Sequence, residues 1–235
     1  MKQPLKAYFR PYYFVLRKLL AHQLSFIEFA YFRTAYFSQF GEDAYVDLFF
    51  SGKKKGFYVD VGAFHPLNIS NTYVFYKKGW RGINIEPNPA SFQFFPKYRP
   101  GDINLNVAVG LENREVLFNC NEEFSGIDDE THLYRNHPRL KTQCWIKSMP
   151  LASIFQEHLP KGTKIDFMSV DCEGHDEEVL KSNDWSLFRP QLILVEDHKR
   201  NDRTIDHILL SVDYQFERKL GLTKVFVESK SNRES

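Results

Sequence analysis

From residue 38 onward, short apolar runs that end in glycine or an acid alternate with segments whose apolar residues recur three and four apart. The first kind reads as buried strand and the second as amphipathic helix. The run Ser38-Gln39-Phe40-Gly41-Glu42-Asp43 opens a helix through Phe50, and Lys53-Lys54-Lys55-Gly56 supplies a polar stop. Then follow a strand over 57–61, a short helix over 72–78 capped by Ser70 or Asn71, a strand over 82–86, a helix from about Ser91 and a strand over 103–109. This βαβαβ order predicts a parallel sheet. Between Gly110 and Pro150 the rhythm changes: 115–119 and 143–148 read as strands around a polar stretch, an excursion that shapes or covers a pocket. Alternation resumes with a helix over 151–158, a strand over 165–170, a helix over 176–182, a strand over 191–195, a helix over 204–210 and terminal strands over 214–218 and 224–228.

Length and composition add bounds. A chain of 235 residues, 43% apolar, suffices for one α/β domain over 38–235 with an extension over 1–37. A net charge of +1 and a pI near 7.7 argue against a nucleic-acid partner. The cysteines Cys120, Cys144 and Cys172 are odd in number, unevenly spaced and without a C-x-x-C pair, which suits a reducing compartment and a cytoplasmic location better than a disulfide framework or a zinc site. No apolar run is long enough to span a membrane, and the amino terminus lacks a secretory signal pattern. In residues 1–37 the cations Lys2, Lys6, Arg10, Arg17, Lys18 and Arg33 face one acid, Glu28, among many aromatics. Such a segment suits an anionic membrane surface or a partner, or forms an amphipathic helix over 18–31 that covers the sheet or a homodimer interface.

The candidate chemistry lies at strand ends. Gly56-Phe57-Tyr58-Val59-Asp60-Val61-Gly62-Ala63 and Gly82-Ile83-Asn84-Ile85-Glu86-Pro87 have the layout with which open α/β sheets hold an adenosine-containing cofactor. Gly62 lets backbone approach a ligand, Asp60 offers an acceptor, and Glu86 stands where a carboxylate accepts ribose hydroxyls. Asp171 and Glu196-Asp197-His198 repeat the pattern at two later strand ends. Each acid has a plainer reading as the cap of a following helix or turn. A nicotinamide-dependent oxidoreductase shares these features, although Gly62 stands without a full G-x-G-x-x-G; a non-catalytic scaffold would leave the acids without a task.

A resemblance narrows the choice. Ser38-Gln39-Phe40-Gly41-Glu42-Asp43, Val59-Asp60-Val61-Gly62-Ala63-Phe64-His65-Pro66, Ser70-Asn71-Thr72, Gly79-Trp80-Arg81-Gly82, Ile85-Glu86-Pro87-Asn88-Pro89 and Asp171-Cys172-Glu173-Gly174-His175 together resemble the FkbM family of S-adenosylmethionine-dependent O-methyltransferases, over about residues 38–197. The resemblance implies a Rossmann-like class I methyltransferase fold with a mostly parallel seven-stranded sheet, S-adenosylmethionine as methyl donor, and a hydroxyl acceptor on a sugar, glycan or natural product, as in surface-polysaccharide assembly. Carried over, Asp60, Gly62 and Ala63 form the turn under the cofactor's amino-acid end with Gln39, Glu42 and Asn71 nearby, Glu86 holds the ribose, and the adenine lies near Asn106–Ala108. Gln39 and Glu42 equally suit a helix-capping network.

Methyl transfer to oxygen is an in-line displacement in which the hydroxyl loses its proton, so a general base or a pKa-lowering cation is needed. His175 is the candidate base, with His65 and His198 as alternatives. Asp171, Glu196 and Asp197 supply hard oxygens suited to Mg²⁺, a pattern similar to metal-dependent macrolide-sugar O-methyltransferases; Asp171 otherwise contacts substrate or caps a helix. Cys172 reads as a small apolar residue beside the site, and Trp145 is the aromatic candidate for substrate contact.

Overall fold

The fold is built outward from β1 (Phe57–Val61), whose residues after Phe57 are all buried because both faces of the strand are covered. The computed structural model describes residues 36–120, 126–127, 142–198 and 203–229. The helix expected over 18–31 and the middle of the excursion lie outside the described residues. β1 pairs in parallel with β2 (Arg81–Ile85) on one side and β8 (Phe167–Val170) on the other. β3 (Ile103–Leu105) extends the sheet beyond β2; β9 (Leu192–Glu196), β11 (Thr223–Glu228) and β10 (Tyr214–Leu220) extend it beyond β8. The seven-strand order is β10-β11-β9-β8-β1-β2-β3, and β11 is antiparallel to both neighbours.

Period-2 alternation divides the core between the two faces. Val59, Val61, Ile83, Ile85, Met168, Val170, Ile193 and Val195 share one cluster with helices α5 (Leu151–His158), α6 (Asp176–Lys181) and α7 (Thr204–Ser211). Tyr58, Phe167, Leu192 and Leu194 join a second cluster with Val46 and Phe50, and with Val74, Phe75 and Trp80, from α1 (Glu42–Phe49), α2 (Tyr73–Lys77) and the turns that follow them. The result is a Rossmann-like three-layer α/β domain.

Two expected elements are cut differently. The helix from Ser91 is two single turns, α3 (Pro89–Phe92) and α4 (Phe95–Tyr98), because Pro96 has no N–H to continue a helix and is tolerated only at the start of the second. The strand expected over 103–109 divides into β3 and β4 (Ala108–Val109), which lie in different sheets. Between them the Asn106 side chain donates to the carbonyls of Glu86 and Pro87, 2.8 and 2.9 Å away, and pins the chain where it leaves the main sheet.

β4 pairs with β7 (Gln143–Met149), which pairs with β5 (Arg114–Asn119), which pairs with β6 (Gly126–Ile127). This small sheet is the excursion, with its own core of Ala108, Val116, Phe118, Ile127 and Ile146. It corrects the expectation of three free thiols. β5 and β7 run antiparallel with Phe118 opposite Cys144, which brings Cys120 and Cys144 together as a disulfide and leaves Cys172 as the free cysteine. Their 24-residue separation conceals a pairing that only the strand register creates. Among the described residues no helix is long and apolar enough to cross a membrane.

Candidate functional site

The chain runs outward from β1 through β2 to β3 and later returns to β1's other side as β8, so the strand order reverses between β1 and β8. Open α/β sheets bind ligands outside the carboxyl ends of the strands at such a point. A cleft of about 1070 Å³, open mouth included, occupies that place. Its floor is the turn after β1. Gly62 has φ +75°, its N–H and that of Ala63 both donate to Ile85 O, and Asp171 N–H donates to Val61 O. Three strands are thus joined where the ligand would lie closest to backbone.

The expected cofactor residues separate into two groups. Gln39, Asp60, Gly62, Ala63, Asn71, Glu86 and Ala108 line the cleft, together with Val107 rather than Asn106. Asn106 stands outside the lining as the strut described above. Glu42, also outside it, ties the entry of α1 to β11: it is buried, accepts from Phe40 N–H at 2.7 Å, and accepts from the Thr223 hydroxyl at 2.9 Å.

Glu86 is buried, with Oε2 accepting from Phe64 N–H and Oε1 from Asn88 N–H, both at 2.7 Å. Burial pushes its carboxyl up to about 8 despite those two bonds, and the nearby Asp60 and Asp171 add to the shift. Asp60, fully enclosed, is also raised by burial while accepting a 2.6 Å bond from the Thr72 hydroxyl. Asp171 and Glu196 lie against each other; burial and the charge of Glu196 hold Asp171 well above the usual carboxylate range, and burial pushes Glu196 up to about 7.

Sequence reading missed the support behind this wall. Arg99, fully buried, donates from Nε to Pro66 O (2.8 Å), from Nη1 to Tyr58 Oη (3.2 Å) and Thr72 Oγ1 (3.0 Å), and from Nη2 to Ser70 Oγ (2.9 Å), with Asp102 3.6 Å away. It clamps the 66–72 segment, whose Ser70 hydroxyl accepts from Thr72 and Tyr73 N–H at the start of α2 and whose Asn71 donates to Ser169 Oγ (2.9 Å). Ser70 is therefore the cap and Asn71 the cleft residue. An arginine in the run Lys97-Tyr98-Arg99-Pro100-Gly101 carries no sequence signal for such a role. Breaking a buried ionic network by removing one partner costs about 3–5 kcal/mol. Arg99→Met should lower the melting temperature by roughly 6–20 °C and weaken cofactor binding in calorimetry; an unchanged melting temperature would refute the clamp.

The candidate bases also separate. His175 is buried, occupies the position before α6 and lines the cleft. His65 lies outside the lining, with Nδ1 accepting from Leu67 and Asn68 N–H at 3.1 Å and its ring 6.0 Å from that of Phe94. His198 sits beside Glu196 in an adjoining smaller cavity. The ligand atoms of the magnesium set expected from sequence do not converge: Asp197 pairs instead with Lys224, 2.8 Å from its Nζ, which also binds Asp206. Trp145, the expected substrate aromatic, is 67% exposed on β7 and does not line the cleft. Cys172 does line it, and burial pushes its thiol up, away from nucleophilic use.

The model of the Methyltransferase FkbM domain matches residues 60–218, more than half of the chain. The chain belongs to the FkbM methyltransferase family. This membership sets the nicotinamide and scaffold readings aside and makes S-adenosylmethionine the ligand against which the cleft is judged. The cleft suits it: two buried acids, Asp60 and Glu86, and the half-buried Asp171 line a space able to take a cationic sulfonium ligand with a ribose.

No curated protein matches the chain. Among solved structures, it is similar to a TehB-like SAM-dependent methyltransferase from Corynebacterium glutamicum (10% identity, TM-score 0.44, 95% of this chain and 100% of that one). It is likewise similar to the 1,6-didemethyltoxoflavin-N1-methyltransferase of Burkholderia thailandensis with bound 1,6-didemethyltoxoflavin and S-adenosylhomocysteine (9%, 0.44, 98% and 94%). A fibrillarin pre-rRNA processing protein of Methanococcus jannaschii is a third (13%, 0.43, 76% and 69%).

Proposed function

We propose that this FkbM methyltransferase transfers the methyl group of S-adenosylmethionine to a hydroxyl of a sugar or glycan. The observation that carries the reading is the polar part of the cleft's lining, which Gln39, Asn71, Ser169, Asp171, Glu173 and His175 share. Such a lining pairs with the hydroxyls of a carbohydrate through hydrogen bonds. The bound cofactor supplies a methyl group on a positively charged sulfur. Asp60 and Glu86 hold its polar ends, Gly62 and Ala63 let it lie against backbone, and the small sheet of the excursion closes one side through Phe118, Gly126 and Ile127. His175 accepts the acceptor's proton as the oxygen–carbon bond forms.

The test is methyl transfer from labelled S-adenosylmethionine to a panel of free sugars, nucleotide sugars and cell-surface glycans, with the linkage read by mass spectrometry. His175→Gln should lower kcat about 10²–10⁴-fold with the KM for S-adenosylmethionine unchanged. Methylation confined to nitrogen or carbon acceptors, or full kcat in the folded His175→Gln variant, would remove this reading.

A further inference from the structure

Where the cleft meets its smaller neighbour, donor atoms from two strand ends converge. Glu196 closes β9, His198 follows two residues later, and Glu173 lies in the loop between β8 and α6. One ligand atom each from Glu173, Glu196 and His198 lies within 4.8 Å of the other two. His198 Nε2 is 2.7 Å from Glu196 Oε2 and 3.8 Å from Glu173 Oε2. The Glu196 side chain is only 9% exposed, yet neither its Oε2 nor His198 Nε2 makes a hydrogen bond, because the 2.7 Å approach lacks the alignment one requires. A buried carboxylate oxygen aimed at an imidazole nitrogen without a bond between them is the arrangement left when both face a third atom.

The backbone holds the third ligand in place. Glu173 has φ +50°, a left-handed conformation uncommon for a residue with a Cβ, and Gly174 follows at φ +107°. Asp176 fixes this bend by accepting from Cys172 N–H (2.9 Å) and Gly174 N–H (3.2 Å). Asp197, the acid next to Glu196 in sequence, lines the same small cavity but is paired with Lys224, 2.8 Å from its Nζ.

We propose that Glu173, Glu196 and His198 bind a divalent transition-metal ion at the rim of the methyl-transfer cleft. Two carboxylates and one imidazole suit Mn²⁺, Fe²⁺ or Zn²⁺ better than Mg²⁺, which favours all-oxygen shells. Three protein ligands converging from the strand edge leave coordination positions open for water or for an acceptor oxygen. Glu173 lines the main cleft, whereas Glu196 and His198 line the side cavity, so the ion would stand where a hydroxyl of the acceptor could reach it. That last role rests on the O-methylation reading; the binding of the ion does not.

The full chain, stripped with chelator, is titrated with MnCl₂ while free Mn²⁺ is followed by electron paramagnetic resonance and heat by calorimetry. One equivalent is expected to bind, to be displaced by Zn²⁺ and to resist millimolar Mg²⁺. Glu173→Gln and His198→Gln should each weaken binding at least tenfold while circular dichroism shows a folded protein, whereas Asp197→Asn should leave it unchanged. Absence of saturable Mn²⁺ and Zn²⁺ binding, or binding indifferent to His198→Gln, overturns the site. Stoichiometric binding in a protein that methylates no hydroxyl acceptor upholds the site and removes the O-methylation reading instead.

Discussion

Gly62→Ala is expected to abolish cofactor binding and methyl transfer and to lower the melting temperature by more than about 10 °C, the shift that a loss above roughly 4 kcal/mol produces in a domain of this size. A Cβ at this position would lie 1.8 Å from the carbonyl oxygen of Asp171 and 2.8 Å from its carbonyl carbon, where real Cβ contacts stay beyond 3.0 Å. The obstacle is backbone, so no side-chain rotation relieves it. Moving Asp171 away would strain the bond from its N–H to Val61 O, and moving residue 62 would strain the bonds from the Gly62 and Ala63 N–H groups to Ile85 O. Gly79→Ala separates this clash from conformational cost: Gly79 has φ +91°, but a Cβ there would meet nothing within 4 Å, so only the left-handed penalty of about 1–2 kcal/mol applies. Thermal melts of both variants with and without S-adenosylmethionine decide the matter, and similar melting temperatures for the two would contradict the close-packing account.

What sequence made legible was the edge of the sheet, and what it concealed was direction. Strand ends at Asp60, Glu86, Asp171 and Glu196 follow from short apolar runs that stop at acids, and the helix Leu151–His158 follows from its period. Which side chain beyond a strand end turns toward the cleft depends on local backbone and on distant partners. Glu173 is turned by a positive φ, and Asp197 is engaged by Lys224 from β11. The carboxylates and imidazole whose ligand atoms come within 4.8 Å of one another are therefore Glu173, Glu196 and His198, not Asp171, Glu196 and Asp197. Arg99 and the Cys120–Cys144 bond were hidden for a related reason: each depends on contacts across 24 or more residues, which no local pattern records. The break at Asn106 was hidden because its cause is a side chain bonding to the backbone of another strand's end.

Glu86→Ala should weaken S-adenosylmethionine binding more than tenfold, about 1.4 kcal/mol or more, and the reason also sets a pH dependence. An ionised carboxylate has about four acceptor positions, and Phe64 and Asn88 N–H use one on each oxygen, which leaves one on each for the two ribose hydroxyls. Accepting both hydroxyl protons favours the ionised form. The ligand-free protein favours the neutral form, because burial holds Glu86 at about 8 against an ordinary 4.5. The stability this group confers on the ligand-free fold is therefore complete below about 4.5 and is lost as pH rises through about 8. Ligand affinity runs the other way. At pH 6.5 binding must expel the proton, and by pH 8.5 most of it has already left, so the Kd should fall as pH rises across that interval and then level off. Glu86→Gln cannot ionise and should show a weaker, pH-independent Kd, and its melting temperature relative to the unaltered protein should rise with pH in the absence of ligand. S-adenosylhomocysteine, which carries the same ribose and no sulfonium charge, should reproduce the slope. A slope seen with S-adenosylmethionine alone would transfer the effect from ribose recognition to charge sensing by Asp60 and Asp171, and a flat profile for both ligands would place the ribose away from Glu86.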